Sequence, residues 1–189
     1  MKLATFALAM TLYSADRSVE GNPASPVRVL VYEDLQCPDC ATFRRMMDEH
    51  LLRRFGAKVA FEHRDFPLPK HNWARKAAVA ARFFDGQKAG VGVAFRRQTM
   101  ERLGQITLET FDEHVRAFAR AQGVDGAQAV AALDDPKLQA LVEEDYQEGI
   151  ARGVAKTPTV LVNGKPYVET FSVAEISSGI EAALRESAR

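Results

Sequence analysis

Hydrophobic and polar positions change period along this chain, and each change marks an element. The apolar run Val27-Arg28-Val29-Leu30-Val31-Tyr32 ends at Glu33 and Asp34 and reads as a buried strand. Phe43, Met46, Met47, Leu51 and Phe55 then recur at helical spacing over 42–55, and Gly56 closes that helix. Alternation returns over 58–66, with Val59, Phe61 and His63 on one face and Ala60, Glu62 and Arg64 on the other. A β-α-β order of this kind predicts a parallel strand pair with a right-handed crossover.

Pro67 and Pro69 end the second strand, and 72–152 reads almost entirely as helix. Trp73, Ala77, Ala80, Ala81 and Phe84 form one apolar stripe, and Leu108, Phe111, Val115 and Phe118 form another. Asp125 with Gln128, and Asp135 ahead of Pro136, sign two helix starts. The second of these helices continues through Leu138, Val142, Tyr146 and Ile150. Residues 159–162 are again β-branched, Asn163-Gly164 predicts a hairpin turn, and 165–170 can pair back. Ser172 and Glu175 cap a final amphipathic helix through Ile176, Ile180 and Leu184. The sum is β-α-β, a helical block, then β-β-α.

Composition narrows the reading. With 189 residues, 47% of them hydrophobic, the chain can bury the core of one folding unit. Lys plus Arg and Asp plus Glu balance at 25 each, so no net field draws nucleic acid or an anionic membrane. No apolar run approaches the roughly 20 residues that span a bilayer. Lys2 followed by an apolar stretch has the order of a signal peptide, but Tyr13 stands where a small residue is wanted if cleavage follows Ala15. An added edge strand and a start inside a longer precursor are the other readings of residues 1–15. Residues 16–26, with Gly21-Asn22-Pro23 and Ser25-Pro26, form a turn-rich lead-in.

The candidate chemistry lies where the first strand hands over to its helix. Cys37-Pro38-Asp39-Cys40 holds both cysteines of the chain at C-x-x-C spacing. A helix start offers unpaired N–H groups and the positive end of the dipole, which stabilise a thiolate, the reactive form of cysteine. Pro38 fits the first turn, where its missing N–H costs nothing. A redox-active dithiol is the leading reading, with half of a zinc site or a static disulfide as alternatives. Zinc needs about four ligands, and His50, His63, His71 and His114 show no paired spacing. A static disulfide closing so short a loop would add little stability. Neither a metal nor a bound cofactor is expected. His71 and Trp73 are expected in core or capping roles, and His50 beside the stripe of the cysteine helix.

The chain resembles the thioredoxin superfamily, and within it the DsbA-like thiol–disulfide oxidoreductases. Asp34-Leu35-Gln36-Cys37-Pro38-Asp39-Cys40 is similar to the family's D-F-Q-C-P-x-C, and Val154-Ala155-Lys156-Thr157-Pro158-Thr159 to its G-T-P-T before a strand. The resemblance implies an α/β thioredoxin fold with an inserted helical domain. Its parts would be a lead-in at 1–26, a first thioredoxin part at 27–66, the insertion at 67–152 and a second part at 153–189. It implies that Cys37 is the solvent-facing attacking thiol and Cys40 the buried resolving one. Pro158 is then a cis-proline that lays Thr157 beside Cys37 to bind substrate chain. Members often carry a glutamate six residues before the first cysteine. Val31 stands there, and Glu33, on the same strand face, is the candidate substitute for its proton relay. Lys156 replaces the usual glycine before Thr157.

The function so implied is disulfide exchange with protein substrates, with protein thiols or disulfides and an unidentified redox partner as its partners, no nucleic acid, no membrane span, and a monomeric state. An extracytoplasmic location, periplasm or cell envelope, follows from the resemblance alone, and the cysteine pattern also suits the cytoplasm. A glutathione-using transferase or isomerase and a metal-binding dithiol module are the alternatives. Asp39, two residues from Cys37, is expected to oppose a second negative charge there and so to restrain the oxidising power of the site.

Overall fold

The computed structural model describes residues 17–189, so the readings made for 1–15 lie outside the described residues. Strands β1 (Val19–Gly21), β2 (Arg28–Glu33), β3 (Ala60–Asp65), β4 (Thr159–Val162) and β5 (Lys165–Val168) form one sheet in the order β1-β3-β2-β4-β5. Strand β2 is central and pairs in parallel with β3 and antiparallel with β4. Strand β5 returns beside β4. Asn163 and Gly164 both have positive φ, 45° and 87°, as a two-residue hairpin turn requires. Strand β1 lies antiparallel to β3, inside the segment that its turn residues mark as a lead-in.

The cysteine helix is α1 (Pro38–Met46), which continues through a π-helical turn (Met47–Leu51) and a last α-helical turn, α2 (Leu52–Phe55). Its buried residues Phe43, Met47, Leu51 and Phe55 pack with Val29, Val31 and Phe61 of the sheet. Ile176 and Ile180 of the last helix, α8 (Val173–Ser187), join the same cluster. Ser172 and Glu175 make the reciprocal capping box that their spacing predicts.

Between β3 and β4 stand α3 (Ala74–Asp85), α4 (Val91–Glu101), α5 (Phe111–Ala121), α6 (Gly126–Ala131) and α7 (Pro136–Ala151). Their core is aromatic: Trp73 stacks on Phe111 with centroids 5.6 Å apart, and Phe84 meets Phe118 edge to face at 4.8 Å. Pairs of this geometry add about 0.5–1.5 kcal/mol each beyond the area they bury. Leu35, Cys37 and Cys40 belong to this helical cluster, so the inserted helices form part of the packing around the dithiol.

Three local expectations differ from what forms. Leu108 is 39% exposed and precedes α5 instead of joining its stripe. Ile150, placed with Leu138, Val142 and Tyr146 along α7, is 49% exposed, and the helix buries Asp145 and Gly149 beside Val142. Every residue of β3 is buried, the charged ones included, and ion pairs serve both faces: Arg64 pairs with Glu62 and Glu148 on one, and Asp65 with Arg82 and Arg96 on the other.

Candidate active site

The turn after β2 is shaped by Asp34. Its Oδ1 accepts the Gln36 N–H at 2.7 Å, and the Cys37 N–H donates to the Asp34 carbonyl at 3.0 Å. Cys37 thereby becomes the N-cap of α1, with extended backbone (φ −86°, ψ 123°) and Pro38 in the first turn. The Asp34 N–H points at the sulfur of Cys40, 3.4 Å away. Its Oδ2 takes the Leu68 N–H and His71 Nδ1, each at 2.7 Å. Gln36 accepts the Trp73 N–H at 2.9 Å and donates to Asn72 at 3.2 Å. The cysteine loop is therefore tied to the chain that opens the helical block, and His71 and Trp73 serve in that joint.

The Thr157–Pro158 peptide is cis. Cys37 Sγ lies 3.4 Å from the Thr157 carbonyl oxygen, to which its thiol donates. Lys156 points outward and pairs with Glu169 at 2.9 Å, beside the Glu169 N–H to Pro158 carbonyl bond of 2.9 Å. The two motifs, some 120 residues apart, therefore meet at one sulfur.

The two cysteines are both buried, and they are unlike. The Cys37 thiol is lowered to about 6, first by a hydrogen bond from the Cys40 thiol, which with the Cys40 and Asp39 N–H groups and Thr157 outweighs burial. The Thr157 hydroxyl is buried with no other hydrogen-bond partner. Burial pushes Cys40 well above the ordinary thiol range, and the Cys37 sulfur and the charge of Glu33 push the same way. Cys37 is less solvent-facing than the resemblance implies: 5% exposed, against 1% for Cys40. It packs in the cluster of the inserted helices, and the neighbouring Pro38 and Asp39 are exposed.

Glu33 is buried and accepts from His63 Nδ1 at 2.8 Å and Arg96 Nη1 at 3.2 Å. Burial would raise its carboxyl, but His63, Arg96 and Arg44 hold it below the usual range. His63 and Arg96 escaped the sequence reading as parts of the site. A signal did exist: Glu62-His63-Arg64-Asp65 places four polar residues in a row inside a strand. His50 is exposed, and His114 is lowered to about 4 by burial and joined to Thr99 at 2.9 Å. Among the described residues no group of three or more His, Cys, Asp and Glu is arranged to hold a metal ion.

The family model described as Thioredoxin matches residues 14–182, and the chain belongs to that family. Its fold is a thioredoxin fold with inserted helices, like the DsbA-type structures it matches. Wolbachia pipientis alpha-DsbA1 superposes with a TM-score of 0.78 at 16% identity, over 90% of this chain and 92% of that one. A thioredoxin-like oxidoreductase from Silicibacter pomeroyi DSS-3 gives a TM-score of 0.73 at 24% identity, over 90% and 93%. Among curated relatives, the Na(+)/H(+) antiporter NhaA 1 of Mycolicibacterium gilvum (strain PYR-GCK) is 25% identical over 169 residues, 87% of this chain. The aligned part is 26% of the antiporter, so this chain spans about a quarter of the length of the curated relatives it matches.

Proposed function

We propose that this protein exchanges thiols and disulfides with protein substrates through Cys37-Pro38-Asp39-Cys40. The observation that carries the reading is the asymmetry of the pair: a thiol lowered to about 6 against the Thr157 carbonyl, next to a buried thiol pushed up. In the oxidising direction a substrate thiolate attacks the Cys37 sulfur of the Cys37–Cys40 disulfide. That bond breaks, its electron pair goes to Cys40, and Cys40 takes up a proton. The substrate's second thiolate then attacks the substrate sulfur of the mixed disulfide, and Cys37 leaves as a thiolate. The substrate is oxidised and the dithiol reduced; the steps run backwards for reduction. Stabilising the Cys37 thiolate stabilises the reduced form and makes the disulfide more oxidising.

In this reading Thr157 and Pro158 receive the substrate backbone beside Cys37, and Glu33 serves the proton traffic of Cys40. Protein thiols and a separate redox partner are the reactants, and the chain works outside the cytoplasm as a monomer. No helix among the described residues is long and apolar enough to cross a membrane. Equilibration with a glutathione redox series, followed by mass spectrometry, should show a two-electron Cys37–Cys40 couple, and insulin reduction should vanish in Cys37→Ser. Activity retained in that variant would favour a glutathione-dependent transferase. A dithiol that stays reduced throughout the series and purifies with stoichiometric metal would favour a metal-binding module.

A further inference from the structure

One residue, Asp34, touches both cysteines. Its N–H points at Cys40 Sγ, 3.4 Å away, and its carbonyl accepts the Cys37 N–H at 3.0 Å. Where the two sulfurs sit at the start of α1 is therefore referred to Asp34. Its own side chain is wholly buried, and a buried carboxylate keeps its place through its hydrogen bonds. Oδ1 accepts the Gln36 N–H, and Oδ2 accepts the Leu68 N–H and His71 Nδ1–H, all at 2.7 Å. Leu68 and His71 belong to the segment that opens the helical block, where Pro67 and Pro69 fix the backbone and the His71 N–H closes a turn on the Leu68 carbonyl at 3.0 Å. That segment is anchored in turn by Trp73, stacked on Phe111. Of the groups that hold the Asp34 carboxylate, His71 alone is a side chain, and it is 15% exposed.

We propose that His71 is a positioning residue for Cys37: by holding the Asp34 carboxylate it fixes the loop 34–37, so that the first N–H groups of α1 meet the Cys37 sulfur. The proposal rests on the oxidoreductase reading, in which the Cys37 thiolate is the attacking and the leaving group. The hydrogen bond from the Cys40 thiol, and after it the Cys40 and Asp39 N–H groups, are what make that sulfur acidic. Hydrogen bonds weaken steeply as their angle closes, so a loop that slackens at Asp34 weakens these together. The role asks only for a donor on Nδ1, which a neutral imidazole facing a carboxylate supplies. It is a matter of geometry, with no charge on His71 required. Gln36 makes the second tie to the same segment, through the Trp73 N–H at 2.9 Å and Asn72 at 3.2 Å, but that tie acts on the Gln36 side chain and not on the residue whose backbone meets both sulfurs. The opening of the inserted helices is thereby made part of the redox site.

The test follows the thiolate absorbance of the reduced protein against pH, and its equilibrium with a glutathione redox series, in wild type, His71→Ala, His71→Asn, His71→Lys, Asp34→Ala and the Asp34→Ala/His71→Ala pair. The Cys37 midpoint should rise by about one unit in His71→Ala. At a pH above both midpoints that is a tenfold loss of thiolate stabilisation, which lowers the potential of the two-electron couple by about 30 mV. His71→Asn, whose side-chain N–H can take the place of Nδ1–H, should return both quantities to near their wild-type values. His71→Lys, which carries a charge on a longer and differently placed stem, should leave the midpoint raised, and His71→Ala should add nothing once Asp34 is alanine. A His71→Ala midpoint equal to wild type would overturn the proposal. So would rescue by lysine without rescue by asparagine, which would mean charge and not position, or an equal shift in the Asp34→Ala background. If His71→Ala does not fold, asparagine against lysine decides: a wild-type midpoint in the first and a raised one in the second support the proposal, and the reverse or no difference overturns it. A wild-type protein with no Cys37–Cys40 couple in the glutathione series would remove the oxidoreductase reading itself, whereas a couple indifferent to His71 would remove this proposal alone.

Discussion

The sulfur of Cys37 and the carbonyl oxygen of Thr157 face each other across 3.4 Å, joining two motifs that lie at opposite ends of the sequence. The contact places the more acidic of the two thiols beside the backbone just ahead of β4, at the cis-proline.

The first prediction concerns that acidity. The ultraviolet thiolate absorbance of reduced protein should rise with a midpoint near pH 6 from Cys37, with no second rise until well above the ordinary thiol range. Limiting iodoacetamide should label Cys37 and leave Cys40 untouched at neutral pH. Equal labelling would contradict the asymmetry.

Asp39 bears on the same sulfur in two opposite ways. Its N–H is among the groups that lower Cys37, while its exposed carboxylate opposes a neighbouring thiolate through solvent. Asp39→His keeps the N–H and reverses the side-chain effect. The Cys37 midpoint should fall, by less than about one unit because the group is screened, and the reduction potential should rise with it. A midpoint that stays or climbs would mean that the carboxylate does not reach the sulfur.

Stability should depend on pH through His63. Burial lowers its pKa, but Glu33 and Glu20 together raise it to about 9, above the value near 6.5 expected unfolded. A raised folded value gives stability that is complete below the unfolded pKa and is lost as pH rises through the folded one. Denaturant midpoints should therefore fall between roughly pH 6.5 and 9, by as much as about 3 kcal/mol in free energy. His63→Gln should flatten that slope, and a slope unchanged in the variant would assign it to other groups.

Gly149 on α7 is a packing prediction. A Cβ there would sit 2.6 Å from Phe66 and 3.1 Å from Tyr32, whose rings are held by stacking of Phe66 on Tyr146 at 4.7 Å. Alanine would gain about 1 kcal/mol of helix propensity, but overpacking fixed rings costs about 1–3 kcal/mol. Gly149→Ala should be neutral to destabilising by up to about 2 kcal/mol, as read by urea unfolding, and a clear stabilisation would show that the rings move freely.

What was legible in the sequence was local. The C-x-x-C at a strand end, the Asn163-Gly164 turn and the Ser172/Glu175 box each declare themselves within a few residues, and the resemblance joined Thr157 to Cys37. Interactions between distant residues were not legible. His63 is one of several unremarkable histidines until β3 is laid against β2 and β1, which brings Glu33 and Glu20 to its two nitrogens. Asp145 looks like a solvent-facing residue of α7 until Arg17 and Arg82 are seen to reach it, together with the Asp65 N–H at 2.9 Å. Strand β1 is too short to show alternation and sits next to Gly21-Asn22-Pro23, whose turn signal dominates.

The central claim is tested most directly by a trapped intermediate. A Cys40→Ser variant, activated at its one remaining cysteine and mixed with a reduced protein substrate, loses the thiol that would resolve the complex. The account predicts a covalent complex joined through Cys37, visible by mass spectrometry and released by reductant, with no such complex from Cys37→Ser. Complexes joined through Cys40, or none from either variant, would contradict it.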